Sequence, residues 1–118
     1  MKRVYVAGLY GYTTNGIIGN LDNMREGMRK SVKVLLEGYA PFVPWFDYHF
    51  QLMLREYETL DADDYYDYSL AWLEVSDAVL VISNRKESKG VNAEIERAKE
   101  LNIPIFYSLE ELKEKLER

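Results

Sequence analysis

The chain has 118 residues, 47% hydrophobic and 30% charged, with a net charge of −5; this length suits one compact domain, residues 1–118. With no block of Lys or Arg and no long apolar run, neither a nucleic acid polymer nor a membrane is an expected partner. Cysteine is absent, which excludes disulfides and thiol catalysis, and the N-terminus lacks a signal-peptide pattern, so a cytoplasmic location is expected.

Arg3 to Gly8 ("RVYVAG") is short, β-branched and aromatic, and ends in glycine. It predicts a buried first strand. Leu9 to Gly19 ("LYGYTTNGIIG") is rich in glycine and threonine and predicts a loop. Asn20 is placed to cap a helix. Leu21, Met24, Met28, Val32 and Leu35 then recur at helical spacing, and Gly38 is the expected stop. Tyr39 to Val43 predicts a second strand, ended by Pro44. Trp45 to Asp64 is aromatic, then acidic, and reads as a connection carrying a short helix. Tyr65 to Val75 has Tyr66, Leu70 and Leu73 in helical phase. Asp77 to Ile82 ("DAVLVI") is the continuous apolar run of a central parallel strand. Ser83 to Lys89 is polar and predicts a loop. Gly90 to Leu101 is helical, with Asn102 as its stop. Pro104 to Tyr107 predicts the last strand. Ser108 and Glu111 stand at capping-box spacing before a final helix.

Strict alternation of strand and helix predicts an α/β fold. The expected form is a Rossmann-like or flavodoxin-like three-layer sandwich with a four- to five-stranded parallel sheet. Ligands in such folds bind beyond the carboxyl ends of the strands, where strand order reverses. The loops after strands one and three both qualify, and the second leads into a helix carrying Glu94 and Glu96.

At 100° per residue, Val91, Ile95, Ala98 and Leu101 define that helix's buried stripe. Glu94 falls roughly 50° from the stripe's centre and Glu96 roughly 150° from it. Glu96 therefore points to water, whereas Glu94 sits at the core's edge near the positive end of the helix. The wheel alone favours a plain helix-stabilising role for Glu94. Its place at the carboxyl edge of a parallel sheet turns the reading toward chemistry. A carboxylate so placed suits a nucleophile or a partner for a cationic carbon.

The segment "SDAVLVISNRKESKGVNAEIERAKELNIPIF" resembles the nucleoside 2-deoxyribosyltransferase superfamily. The likeness lies in an apolar strand, a loop, a small residue two before the helix glycine, and Glu-Ile-x-x-Ala on the helix. "VYVAGLYG" is similar to that family's first strand and glycine-aromatic loop, and "LLEGYAPFVP" to its second strand. The resemblance covers most of the chain and is weak from Trp45 to Tyr65. It implies Glu94 as the nucleophile that attacks C1′ of the sugar as the base leaves. Water or a second base then releases the sugar. It further implies N-glycosidic cleavage or base exchange on a nucleoside or nucleoside 5′-monophosphate, with no metal or redox cofactor. Ser88 and the Gly90 amide resemble a phosphate-binding pair, with Gly8, Leu9, Tyr10 and Gly11 opposite; such amides suit an anion physically as well. Many members carry an aspartate where this chain has Ser69, which leaves the acid for the departing base unassigned.

Other features have plainer readings. Asp77 opens the third strand at the amino edge and reads as structural. His49, the one histidine, has no second ligand at metal spacing; packing or an interface suits it better. Trp45 is open to two uses, stacking a base or burying a dimer contact. "GLYG" is not the dinucleotide fingerprint, and no Walker motif follows. The ten tyrosines, with the aromatics from Trp45 to Tyr57, suggest a homodimer or higher homo-oligomer. The competing functional class is a non-catalytic nucleotide-binding or sensing module on the same fold.

Overall fold

A computed structural model of the protein describes residues 1–9, 16–83 and 89–118. Three candidate site residues, Tyr10, Gly11 and Ser88, lie outside the described residues. The elements run β1 (Arg3–Ala7), α1 (Gly16–Leu36), β2 (Ala40–Phe42), a 3-10 turn (Pro44–Asp47), α2 (Tyr48–Met53), α3 (Ala62–Leu73), β3 (Ala78–Val81), α4 (Lys89–Glu100), β4 (Ile105–Phe106) and α5 (Leu109–Lys115).

The four strands form one parallel sheet in the order β2-β1-β3-β4. This is the expected α/β architecture. The chain moves from β1 outward to β2, then crosses back to place β3 on β1's other side. Strand order therefore reverses between β1 and β3, and their carboxyl ends form the switch point. Tyr5 stands at the middle of this junction, paired with Phe42 on one side and Val79 on the other.

Side chains alternate across the sheet because a strand's period is two. Val4, Val6, Ala78 and Leu80 join a core with α1, the 3-10 turn and α5, through Met24, Val34, Trp45 and Leu112. Tyr5, Ala7, Val79 and Val81 join a second core with α3 and α4, through Leu73, Val91, Ile95 and Ala98. Among the described residues no helix is long and apolar enough to cross a membrane.

Helix α1 departs from the sequence expectation in two ways. It begins at Gly16, so Asn20 lies inside the helix. Asn20 caps nothing there; its Oδ1 is buried without a hydrogen-bond partner. The buried face is also turned. Met24, Gly27, Ser31 and Val34 point inward, while Val32 and Leu35 are 43% and 52% exposed. The cause is the Trp45 indole, 1% exposed and seated against this helix. A Cβ on Gly27 would stand 2.4 Å from Trp45 Cε2. An apolar wheel counts Gly27 and Ser31 as gaps, but the bulky indole needs those gaps to fill.

The expected stops form as the backbone demands. Gly38 has φ +93° and Asn102 has φ 58°, the left-handed region that glycine, and to a lesser extent asparagine, accepts. Ser108 Oγ accepts the Glu111 N–H at 3.1 Å. Helix α3 starts earlier than expected because Asp61 and Asp64 form a reciprocal capping box. Asp77 Oδ2 accepts the Arg3 N–H at 2.7 Å, tying the amino edges of β1 and β3 together. Leu101, assigned to the buried stripe of α4, falls in the turn beyond it and is 37% exposed.

Candidate functional site

Helix α4 leaves the carboxyl side of β3 and presents Val91, Ile95 and Ala98 to the sheet. Glu94 lies on the flank of that stripe, as the helical period dictates, and is half-buried as a residue. Its Oε2 is sealed from solvent and has no hydrogen-bond partner. Burial pushes the Glu94 carboxyl up to about 8, against a smaller opposing effect from the Tyr5 hydroxyl.

Tyr5 comes from the centre of β1 and is fully buried. Its ring stacks on Phe42, centroids 5.3 Å apart. Its hydroxyl lies within reach of Glu94 and Ser69 but makes no hydrogen bond of ordinary geometry. Burial first, then the Glu94 charge, raises its pKa; the Ser69 side chain acts in the opposite direction. Ser69 is half-buried on α3. Asp47 closes the 3-10 turn, is buried, and adds a further negative charge felt by the Tyr5 hydroxyl.

Gly90 stands one turn before Glu94. A Cβ there would meet Tyr66 Oη at 2.8 Å, with Glu94 Oε1 at 4.0 Å from the same point. The Tyr66 hydroxyl thus rests on the bare α-carbon of Gly90, beside the carboxyl group. Its pKa is raised by burial and then by the Glu94 charge.

Across the switch point, the Leu9 N–H donates to Ser83 Oγ at 2.8 Å. The Trp45 Nε1–H donates to the Leu9 carbonyl at 2.9 Å. Gly8 fits closely beneath: a Cβ there would meet Ile82 Cγ1 at 2.8 Å, Ser83 Oγ at 2.9 Å and Trp45 Cζ2 at 3.1 Å. The glycine is required by this approach, not by an unusual φ.

Of the candidates named from sequence, Glu94, Gly90 and Ser69 gather around the Tyr5 hydroxyl and the Tyr66 ring. Gly8 and Leu9 lie at the other lip of the switch point. Trp45 must be corrected as a base-stacking surface: at 1% exposure it has no free face. It instead holds the Leu9 backbone from below. Sequence reading missed Tyr5, Tyr66 and Asp47. Tyr5 looked like one more strand aromatic, and only its partnerless hydroxyl sets it apart. Tyr66 was assigned to the helix phase but given no role. Among the described residues Glu94 makes no salt bridge, and the surface clefts of about 250 Å³ and 290 Å³ lined by Tyr65 and Tyr68 and by Lys30 and Tyr107 do not include it.

An unpartnered buried carboxyl group lowers stability, so its retention points to use. Physically, the group is ready to exchange a proton near neutral pH, or to react once ionised.

The comparisons with known proteins agree with the architecture. The family model described as Domain of unknown function (DUF7768) matches residues 2–108. No curated protein sequence matches significantly. Among solved structures, a 2-deoxyribosyltransferase of the psychrotolerant bacterium Bacillus psychrosaccharolyticus superposes with a TM-score of 0.57 at 16% identity, over 87% of this chain and 69% of that one. A conserved protein of Enterococcus faecalis V583 superposes with a TM-score of 0.56 at 18% identity, over 89% of this chain and 61% of that one. At these identities the likeness is one of fold, and this chain spans less than two thirds of the Enterococcus protein.

Proposed function

The chain belongs to the family described as Domain of unknown function (DUF7768), and we propose that this member breaks or exchanges the N-glycosidic bond of a nucleoside or nucleoside 5′-monophosphate. The observation that carries the proposal is Glu94: a half-buried carboxyl group, one oxygen sealed and unpaired, at the switch point of a parallel sheet. A solved 2-deoxyribosyltransferase with the same fold supports the choice of reaction class.

In this reading Glu94 ionises and attacks C1′ of the sugar. The C1′–N bond breaks, its electron pair leaves with the base, and a glycosyl ester forms on Glu94. Water or another base then attacks C1′ and frees the carboxylate. Tyr5 orients the carboxyl group, since its hydroxyl lies beside it. The Leu9 backbone, fixed by Ser83 and Trp45, borders the sugar or phosphate side, with Gly90 opposite.

The test is base release from ribo- and deoxynucleosides and their 5′-monophosphates, followed by chromatography. Glu94→Gln should lower the rate by about 10³-fold or more, the scale expected when a covalent nucleophile is removed. The pH profile separates two roles for Glu94. A nucleophile must be ionised, so kcat/KM should rise with pH and level off above about 8. A fall above that pH would instead mark Glu94 as a proton donor.

A second reading has its own support. Ser69 stands where a carboxylate is common in the resembled family, and Glu94 is covered. A nucleotide-binding module would bind without releasing base, and its affinity would be unchanged in Glu94→Gln.

A further inference from the structure

We propose that Tyr66 is the gate over Glu94, the side chain that a substrate must displace to reach the carboxyl group. This inference rests on the reading above for the identity of the substrate, but not for the gate itself. Glu94 is half-buried as a residue, with its Oε2 sealed and its Oε1 beside the point on Gly90 where the Tyr66 hydroxyl rests. Tyr5 cannot move aside: it is fully buried, stacked on Phe42 and held in the central strand. Ser69 is too small to cover a carboxyl group and yield by rotation. Tyr66 is large and half-buried, and its hydroxyl makes no hydrogen bond among the described residues.

The resting place of that hydroxyl is the second part of the argument. It sits on the α-carbon of Gly90, where any other residue would put a Cβ 2.8 Å from it, and Glu94 Oε1 borders the same point at 4.0 Å. Glycine at this position has a cost in a helix, roughly 1 kcal/mol relative to alanine. That cost has a use if the space must hold a phenol that leaves and returns. With Tyr66 in place, the Oε1 side of the carboxyl group is covered; with Tyr66 rotated outward, the way to Glu94 opens beside the helix start.

Access to Glu94 is measured directly by its reaction with a water-soluble carbodiimide and an amine, mapped by mass spectrometry. No substrate is needed. Tyr66→Ala should label Glu94 about tenfold faster than the native chain, as expected when a local opening step is removed. Tyr66→Phe keeps the ring and should label at the native rate. Gly90→Ala should label faster, because its Cβ pushes the hydroxyl away. Gly90→Ala combined with Tyr66→Phe should return to the native rate, since the clashing oxygen is gone. A general loosening of α4 would not be reversed by the second change. Equal labelling in Tyr66→Ala and the native chain, with circular dichroism unchanged, overturns the gate. So does fast labelling in Gly90→Ala that the Phe change fails to reverse. The nucleoside assay fails or succeeds separately: absent base release with the expected labelling pattern removes the enzymatic reading and leaves the gate.

Discussion

The two faces of the sheet are built to different standards. On the α1 and α5 face, three polar groups that reach the core are paired, although Asn20 Oδ1 and Asn23 Nδ2 near the start of α1 are buried without a partner. Trp45 Nε1–H donates to the Leu9 carbonyl, the Tyr39 hydroxyl to the Leu116 carbonyl at 2.7 Å, and the Ser31 hydroxyl to the Gly27 carbonyl at 2.8 Å. On the α3 and α4 face, the Tyr5 hydroxyl and Glu94 Oε2 are buried and unpaired. An unpaired buried group costs on the order of 1–3 kcal/mol. The difference lies in the kind of group left unpaired: among the described residues, only the α3 and α4 face leaves an ionisable carboxyl oxygen buried beside a phenol.

The largest effect should come from breaking the well-paired face. Trp45→Ala leaves an indole-sized void against Gly27 and removes the tie to Leu9. It should cost about 3–5 kcal/mol, read as a fall in the urea midpoint, and should cripple any activity with it.

The next change sharpens the contrast from the other face. Glu94→Gln removes a carboxyl group whose pKa is raised from 4.5 to about 8. The folded state then holds a proton that the unfolded chain has released, so stability falls as pH rises between those values. The Gln variant escapes that loss. It should match the native chain below pH 4.5 and exceed it by about 4 kcal/mol at pH 8. Equal unfolding curves at pH 8 would refute the strained-face account.

The smallest effect is a matched pair. Tyr39→Phe removes a bonded hydroxyl and should cost about 1 kcal/mol; Tyr5→Phe removes an unbonded one and should cost nothing or stabilise slightly. Thermal unfolding of both variants side by side is the check. A larger loss for Tyr5→Phe would mean that the two faces do not differ in the way described.

Much of the site was legible in the sequence because it follows from local periodicity. Glu94 is found from the apolar stripe of its helix, which holds at Val91, Ile95 and Ala98 although not at Leu101. The strand-end loops follow from the alternation of elements, and Gly90 from the resemblance to the deoxyribosyltransferase superfamily. Trp45 and Tyr5 were not legible, because their roles depend on which distant surface each ring meets. Trp45 needed α1, 18 residues earlier in sequence at Gly27, and Tyr5 needed α3 and α4 together.

The sequence by itself determined the alternating parallel architecture, the stops at Gly38 and Asn102, and the flank position of Glu94. Each depends on residues within a few turns of one another, where backbone geometry fixes the outcome. The tertiary structure decided which face of α1 is buried, that Trp45 supports the switch point from beneath, and that Tyr66 rests on Gly90 beside Glu94. Those outcomes depend on side-chain volume and hydrogen-bond partners brought together from separate elements, and no local pattern carries that information.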